Sequence, residues 1–266
     1  MLTLFIALNS LITANADNYR LLHSSGMPDA PSGKLTVMSF NIQHCKSFTK
    51  GEIDIDLFAD AIRESNADIV GLNEVWGAGM HLKSQAKALA EKLGFYYCHG
   101  RTIFTDGTTE YGNALLSRYP ITSVEKIKIP DPQNKNNDLH YETRGIIKAK
   151  IDAAGKTYTV LVTHFGLNPD EQINAVKAVS DAIESENCIL MGDFNVTPEN
   201  EVLNPIYAKL RDTSCTFEED YLSFPSDEPV KRIDYMLVSS DINIISARIP
   251  DKVVSDHRPY ICEFEY

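Results

Sequence analysis

The chain repeats one pattern along most of its length: a short, mainly apolar run that ends in one or two polar residues. Short runs rich in β-branched and aromatic side chains are typical of β-strands. A polar residue at the end of such a strand lies at the rim of a sheet, where it can meet a ligand. We predict strands at residues 34–41, 68–73, 113–117, 143–151, 157–164, 188–193, 232–239 and 259–264.

Amphipathic helices are predicted between these strands. One spans about 56–65, a second spans 80–93 and is closed by Gly94, and a third opens at Pro169. The apolar face of the third helix is formed by Ile173, Val176, Val179 and Ile183. Because helices must cover the outer faces of the sheets, the pattern predicts an α/β (α+β) fold. We expect a four-layer αββα sandwich, with two mostly antiparallel sheets packed face to face and helices outside.

Length and composition favour one folded domain. The 266 residues include 43% hydrophobic and 23% charged residues, as in ordinary globular proteins. We predict a domain at 34–266, preceded at 1–33 by an N-terminal extension or possible signal segment with a linker. Beyond the N-terminus, no apolar run approaches the roughly 18 residues that cross a bilayer, so no transmembrane segment is predicted. We expect a monomer.

The apolar run near the N-terminus leaves localisation open. It ends at Ala14-Asn15-Ala16, which is similar to a signal-peptidase site. No Lys or Arg precedes this run and polar residues interrupt it, so the charged start of a signal peptide is missing. Export and a cytoplasmic location both stay open, and the cytoplasm is slightly favoured.

Net charge bears on the class of substrate. The chain has 25 Lys and Arg against 37 Asp and Glu, a formal charge of −12. Proteins that bind duplex nucleic acid without sequence preference rely on Lys and Arg contacts to phosphates. The acidic balance therefore favours a small molecule or a lipid head group, although it allows a local basic groove. The five cysteines lack CxxC spacing, which indicates reduced core residues rather than zinc ligands or disulfides.

Two carboxylates follow apolar runs directly. Glu74 ends the segment DIVGLNE, and Asp193 lies in MGDFN with Asn195 two residues later. A buried charge is costly unless it is paired or binds a metal, and Mg²⁺ accepts one or two protein carboxylates beside a substrate phosphate. Glu74 is therefore a candidate metal ligand, with helix capping as its ordinary alternative. In an extended segment Asp193 and Asn195 face the same side and could hold a water and a phosphate oxygen, unless they form a simple turn.

Two histidines and a further acid complete the set of polar positions. His164 ends the run TYTVLVTH, and His257 follows Asp256 in SDHRP. Asp234 lies in the otherwise apolar strand IDYMLV, where it needs a partner, and His257 is the natural one. An imidazole oriented by a carboxylate is a usual general base near neutral pH. Each residue alone has a structural explanation, as does Asn41 at the end of the first strand, but their combination and order indicate catalysis.

In chain order, these motifs resemble the endonuclease/exonuclease/phosphatase superfamily. The similarity covers about 34–266, and GDFN and SDHRP are its most specific pieces. Members include deoxyribonuclease I, abasic-site endonucleases, inositol polyphosphate 5-phosphatases, neutral sphingomyelinases and deadenylases. The resemblance implies the same αββα sandwich and Mg²⁺ as the cofactor, with Mn²⁺ as a possible substitute. The residues it implies are Asn41, Glu74 and Asp256 for metal binding, His164, Asp193, Asn195, Asp234 and His257 for catalysis, and Asn113, Arg144 and Arg258 for substrate binding.

The resemblance also implies individual roles. Asp193 and Asn195 would position the attacking water and a phosphate oxygen, and His164 would stabilise charge on the phosphoryl group. Either Asp193 or His257 would take the proton, and the sequence leaves this open. Nucleases of the family often carry an acid where this chain has Gln43, so a single metal ion is the simpler expectation.

The motifs together predict a Mg²⁺-dependent phosphoesterase that attacks a phosphodiester or phosphomonoester in line with a metal-activated water. An endonuclease or exonuclease acting on DNA or RNA is the alternative within the enzymes. A catalytically silent binding module is a further alternative, because fold alone does not establish activity. It is disfavoured because the acids and histidines of the expected site are all present.

Overall fold

The computed structural model describes residues 33–79, 83–153, 155–219 and 221–265. The α-helices in these ranges are α1 (Ile55–Ser65), α2 (Gln85–Leu93), α3 (Pro169–Ala182) and α4 (Asn204–Tyr207). The strands are β1 (Lys34–Asn41), β2 (Ile69–Trp76), β3 (Tyr96–Thr105), β4 (Thr109–Ser117), β5 (Ile121–Lys128), β6 (Gly145–Ala153), β7 (Lys156–His164), β8 (Cys188–Asp193), β9 (Arg211–Asp212), β10 (Asp234–Val238), β11 (Asn243–Arg248) and β12 (Tyr260–Glu265). None of these helices has the length and apolarity needed to cross a membrane.

The described strands form two six-stranded sheets. The first has the order β11-β12-β1-β2-β4-β3 and the second the order β5-β6-β7-β8-β10-β9. Neighbouring strands run antiparallel except for one central parallel pair in each sheet, β1 with β2 and β7 with β8. The predicted pair of mostly antiparallel sheets is confirmed.

Three apolar clusters hold the layers together. One lies between the sheets and includes Leu115 and Val162. A second packs α1 and α2 on the first sheet, with Phe40 of β1 and Phe58 of α1 at a ring distance of 5.7 Å. A third packs α3 and α4 on the second sheet, with Val179 fully buried. The four-layer αββα sandwich is therefore also confirmed.

The eight predicted strands are all present. Two of them, β1 and β8, have the predicted ends, and the other six have shifted ends. The four strands that the sequence did not predict are β3, β5, β9 and β11. These four are the edge strands of the two sheets. Edge strands carry polar and charged side chains that discourage pairing with other chains, so they lack a continuous apolar run. In β5, for example, the sequence ITSVEKIK is largely exposed.

The second helix starts later than predicted. The Ser84 side chain accepts a hydrogen bond from the Lys87 backbone N–H, so the helix begins at Gln85 rather than at residue 80. Residues 80–82 of the predicted helix, like residues 1–32 of the predicted N-terminal extension, lie outside the described residues. Gly94 closes the helix in the left-handed conformation, as the sequence indicates.

The third helix starts at Pro169 as predicted, but one residue of its expected apolar face is misplaced. Ile173 is 59% exposed. Val176 and Val179 are buried as predicted, together with Ala175. Ile173 lies about 200° around the helix axis from Ala175, so it points away from the sheet.

The two parallel pairs bring the polar strand ends to one place. Asn41 lies opposite Asn73 near the carboxyl ends of β1 and β2, and His164 lies opposite Asp193 at the carboxyl ends of β7 and β8. Asp234, the first residue of β10, pairs with Asp193 in the antiparallel direction. Side chains of the first sheet contact Asp193 of the second, so residues far apart in sequence meet at one rim of the sandwich.

We predict that Gly192→Ala destabilises the fold much more than Gly107→Ala. Both glycines have positive φ, at 146° and 75°, so each alanine strains the backbone. A Cβ at Gly192 would also lie 1.8 Å from the Thr163 carbonyl oxygen, whereas nothing lies within 4 Å of one at Gly107. Urea unfolding should give a loss of about 1 kcal/mol for Gly107→Ala and at least about 3 kcal/mol for Gly192→Ala. Equal losses would contradict the close contact.

Candidate active site

A bulge in β2 aims Glu74. Leu72 pairs with Ala114 and Val75 pairs with Gly112, so β2 carries one residue more than β4 in this stretch. Glu74 adopts a φ of 57°, which is uncommon outside glycine. A bulge of this kind bends the strand and redirects a side chain. The sequence placed Glu74 at a strand end, but the strand continues to Trp76, and the bulge is what turns the carboxylate towards the site.

Asn41 connects two carboxylates that belong to different sheets. Its Nδ2 donates to Glu74 Oε1 at 3.0 Å and to Asp193 Oδ2 at 3.1 Å. Its Oδ1 accepts the backbone N–H of Gln43 at 3.1 Å. In this arrangement the fully buried amide orients the acids, and its predicted role as a metal ligand stays a prediction.

Asp193 is the centre of the cluster. Its Oδ1 accepts the Asn195 backbone N–H at 2.9 Å, and its Oδ2 lies 3.5 Å from Nε2 of both His164 and His257. The side chain is almost completely buried. Burial raises the pKa of Asp193 to about 7, although the neighbouring His257 acts in the opposite direction. A carboxyl group with such a pKa can exchange a proton near neutral pH.

His257 is paired with Asp234 as the sequence predicts. The distance between Nδ1 and Asp234 Oδ2 is 2.8 Å. Burial alone would lower the pKa of His257, but Asp234 and then Asp193 raise it to about 10. His257 is therefore an imidazolium at neutral pH. The second oxygen of Asp234, Oδ1, is buried without a hydrogen-bond partner among the described residues.

His164, in contrast to His257, is neutral. Arg144 Nη1 lies 2.8 Å from His164 Nδ1, and a guanidinium can only donate, so Nδ1 accepts and the hydrogen lies on Nε2. Burial, and then the charges of Arg144 and His257, hold the pKa of His164 well below its usual range. Glu142 Oε1, 2.8 Å from Arg144 Nη1, helps to fix the guanidinium. The neutral imidazole therefore presents an N–H beside Asp193 and Asn195.

Asp256 is held next to Glu74 by a neutral amide. Gln43 Nε2 donates to Asp256 Oδ2 at 2.9 Å, and the Ser255 hydroxyl donates to Oδ1 at 3.0 Å. Burial raises the pKa of Asp256, His257 opposes this shift, and the charge of Glu74 adds to it. Gln43, which stands where related nucleases often have an acid, thus orients Asp256 without adding charge.

These acids fit a divalent cation. The negative charge of Glu74 contributes to the raised pKa of Asp256, a repulsion that a bound cation would relieve. Asp193, Asp234 and His257 form a second group, whose potential ligand atoms all lie within 4.8 Å of one another. Carboxylate oxygens are the ligands that Mg²⁺ and Mn²⁺ prefer. The described residues therefore offer a possible metal site of acidic and histidine ligands.

Two predicted substrate-binding residues have other contacts. Asn113 is buried between the sheets, where its Oδ1 accepts from Asn73 and its Nδ2 donates to the Gly145 carbonyl. Arg258 forms an ion pair with Asp251 at 2.6 Å. Within the described part of the chain, neither side chain is hydrogen-bonded to a catalytic acid or histidine, and their substrate roles stay predictions.

Asn73 is a site residue that the sequence analysis missed. From β2 its Oδ1 accepts the Asp193 backbone N–H at 2.9 Å, while its Nδ2 donates to Asn113 Oδ1 at 2.9 Å and to the Thr163 carbonyl at 2.8 Å. The amide is completely buried and ties β2 to β7 and β8 in the other sheet. An amide inside an apolar run needs partners, so its place directly before Glu74 was the available signal.

A match to the model of one protein family shows to which family the chain belongs. Residues 38–257 match the model of the Endonuclease/Exonuclease/phosphatase family. The chain belongs to this family. Members of the family are generally hydrolases that act on phosphate esters and depend on divalent metals. The family match therefore agrees with the cluster of acids and histidines at the rim of the sandwich.

One protein is similar to this chain in sequence, and two solved structures are similar to it in fold. The uncharacterized protein YbhP of Escherichia coli strain K12 is 26% identical in an alignment of 234 residues that covers 77% of this chain and 85% of YbhP. A mannosyl-6-phosphatase of Bacteroides thetaiotaomicron has a TM-score of 0.71 at 20% identity, over 87% of this chain and 100% of that chain. The human nocturnin catalytic domain has a TM-score of 0.65 at 19% identity, over 88% and 93%. The likeness to the two solved structures shows a shared fold.

We predict that Asn73→Ala lowers the turnover number for nitrophenyl phosphate esters by about tenfold or more. The reason is that Asp193 loses the group that fixes its backbone. The variant should also lose about 2–4 kcal/mol of unfolding free energy, since buried partners are left unpaired. Steady-state kinetics are measured at a temperature where circular dichroism shows the variant to be folded.

Thr213→Val is the matched control for this prediction. Thr213 is buried and donates to the Met236 carbonyl, but it has no hydrogen bond to the cluster in the described structure. This control should lose stability while keeping its turnover. Equal turnover in wild type and folded Asn73→Ala would show that Asn73 has only a structural role.

Proposed function

We propose that the domain from residue 34 to 266 is a Mg²⁺-dependent hydrolase of phosphate esters. The supporting observation is the environment of Asp193, whose Oδ2 faces one neutral and one cationic imidazole, those of His164 and His257. A base, a neutral N–H donor and a fixed positive charge within one small volume suit in-line attack of water on a phosphodiester or phosphomonoester.

Asp193 is the proposed general base. Its pKa is raised to about 7, so the carboxylate can take a proton from the attacking water near neutral pH. His257 is held protonated by Asp234 and Asp193, so it cannot accept that proton. We assign His257 to the phosphate, where its positive charge opposes the charge that develops in the transition state.

His164 and Asn195 are the proposed donors to the phosphoryl oxygens. The Nε2 nitrogen of neutral His164, which carries the hydrogen, and the Nδ2 nitrogen of Asn195 lie 3.2 Å apart. Arg144 keeps His164 neutral and in one orientation through Nδ1. Donors that are fixed before the reaction need no reorganisation when charge develops, which is the main source of catalysis in such sites.

Glu74 and Asp256, with Asn41 beside them, are the proposed holders of the Mg²⁺ ion, for which Mn²⁺ is a possible substitute. When bound, the ion would supply positive charge to the phosphate and lower the pKa of a coordinated water. Gln43 adds no third carboxylate here, which supports a single ion at this position. The second group of acids around Asp193 remains available for the base and its partners.

A small phosphorylated molecule or a lipid head group is the proposed substrate. The net charge of −12 disfavours the general phosphate contacts on which nucleic-acid binding depends. The structural likeness to a mannosyl-6-phosphatase supports a substrate of this size. We expect the active protein to be a monomer.

We predict that Glu74→Ala, Asp193→Ala and His257→Ala each reduce Mg²⁺-dependent hydrolysis by about a thousandfold or more, because each removes a group needed in the transition state. Nitrophenyl phosphomonoesters and phosphodiesters serve as substrates, with Mg²⁺ and with EDTA. Arg258→Ala is the comparison variant. Because its guanidinium forms an ion pair with Asp251, we expect a much smaller loss of activity than in the other three variants. Full activity in EDTA, or in any of the three variants, would refute the corresponding assignment.

The same assay extended to sugar phosphates, inositol phosphates, sphingomyelin, RNA and plasmid DNA tests the substrate class. We expect turnover of at least one of the small or head-group substrates and little nicking of the plasmid. Efficient plasmid nicking would replace the small-substrate proposal with a nuclease.

A further inference from the structure

A basic pocket of about 310 Å³ lies between the edges of the two sheets. Its walls come from β3, β5 and the start of β6. Arg101, Lys126, Lys128 and Arg144 line it, and no Asp or Glu is among the described residues that do so. Four cations around one pocket are unusual in a chain whose formal charge is −12. Such a pocket attracts anions.

Arg144 joins this pocket to the catalytic cluster. Its side chain lines the pocket, while its Nη1 lies 2.8 Å from His164 Nδ1. His164 Nε2 in turn lies 3.5 Å from Asp193 Oδ2. The Arg144 guanidinium therefore connects an anion in the pocket to the catalytic cluster through His164.

The lysines of the pocket lack the partners that other lysines nearby have. Lys126 and Lys128 are two residues apart on β5, so their side chains lie on the same face of the strand. Neither forms a salt bridge with a described residue. On the adjacent strand β6, by contrast, Lys148 and Lys150 both pair with Glu184.

The other two cations of the pocket are only partly compensated. Arg101 has Glu110 at 3.8 Å, near the limit of an ion pair. Arg144 is paired with Glu142, but its Nε is buried without a hydrogen-bond partner in the described structure. The pocket therefore keeps an excess of positive charge beside the site.

We propose that this pocket binds a second phosphate of the substrate, carried by the leaving group of the ester that is hydrolysed at Asp193. The inference rests on the proposed function, which it narrows to substrates with two phosphate groups a few bonds apart. A bisphosphorylated small molecule has this chemistry, and so do neighbouring phosphates of an oligonucleotide. The ordinary alternative is that Lys126 and Lys128 only keep an edge strand in solvent and prevent it from pairing with another chain.

The test compares two inhibitors that differ only in a second anionic group: butylphosphonate and butane-1,4-bisphosphonate. Their inhibition constants against nitrophenyl phosphate hydrolysis are measured for wild type and for the double variant Lys126→Gln/Lys128→Gln. The matched control is Lys156→Gln/Lys177→Gln, which removes two exposed charges at the start of β7 and on α3. Calorimetry with the same two compounds in Mg²⁺ measures binding independently of turnover, because phosphonates are not hydrolysed.

We expect wild type and the control to bind the bisphosphonate about tenfold more tightly than the monophosphonate. The pocket variant should lose this preference, while its turnover of nitrophenyl phosphate stays within about twofold of wild type. An undiminished preference in the pocket variant, or no preference in wild type, would overturn the proposal. A wild type that binds in calorimetry but hydrolyses no ester would instead refute the proposed function.

A third probe, the dinucleotide pTpT, separates the two sources of a second phosphate. Binding that is tighter than that of the bisphosphonate and is lost in the pocket variant would identify an oligonucleotide as the source. Binding of pTpT that is weaker than that of the bisphosphonate would identify a small molecule as the source of the second phosphate. In both cases the location of the second phosphate is tested by the bisphosphonate preference of the pocket variant.

Discussion

The site depends on two amides that fix Asp193 between the sheets. Asn41 holds its carboxylate and Asn73 holds its backbone N–H, and both amides come from the first sheet while Asp193 belongs to the second. Apolar packing between sheets is not directional and would tolerate small sliding movements. Buried hydrogen bonds are directional and costly to break. They therefore set the position of Glu74, which follows Asn73 directly, relative to Asp193.

The backbone around these amides adopts conformations that residues with side chains rarely adopt. Glu74 has positive φ on a bulge, and Gly192 approaches Thr163 so closely that no side chain fits. Unfavourable conformations of this kind persist where the surrounding structure determines them, and they are found preferentially at functional sites. Here the fully buried amides and the apolar core between the sheets provide that support. The strain and the chemistry thus occupy the same few residues.

The sequence predicts the fold well where burial governs the pattern and poorly where it does not. The eight interior strands carry apolar runs, whereas the four edge strands, such as β5, are polar because one side is open to solvent. Within the site, the pairing of Asp234 with His257 follows from the cost of a buried charge. The bulge at Glu74 and the reach of Asn73 across the sheets depend on tertiary register, which no local pattern encodes.

The charges of the site are arranged by sign, and this arrangement makes an acidic protein compatible with an anionic substrate. Glu74 and Asp256 concentrate negative charge at one side, where repulsion between them favours a cation. On the other side, the His257 imidazolium and the Arg144 guanidinium contribute positive charge, which continues into the pocket beside β5. A phosphate between these sides would be attracted by the bound metal ion on one side and by His257 and Arg144 on the other. At physiological salt, interactions between exposed charges are largely screened beyond about 8 Å, so a small substrate within the site is affected more by this local order than by the net charge of the whole chain.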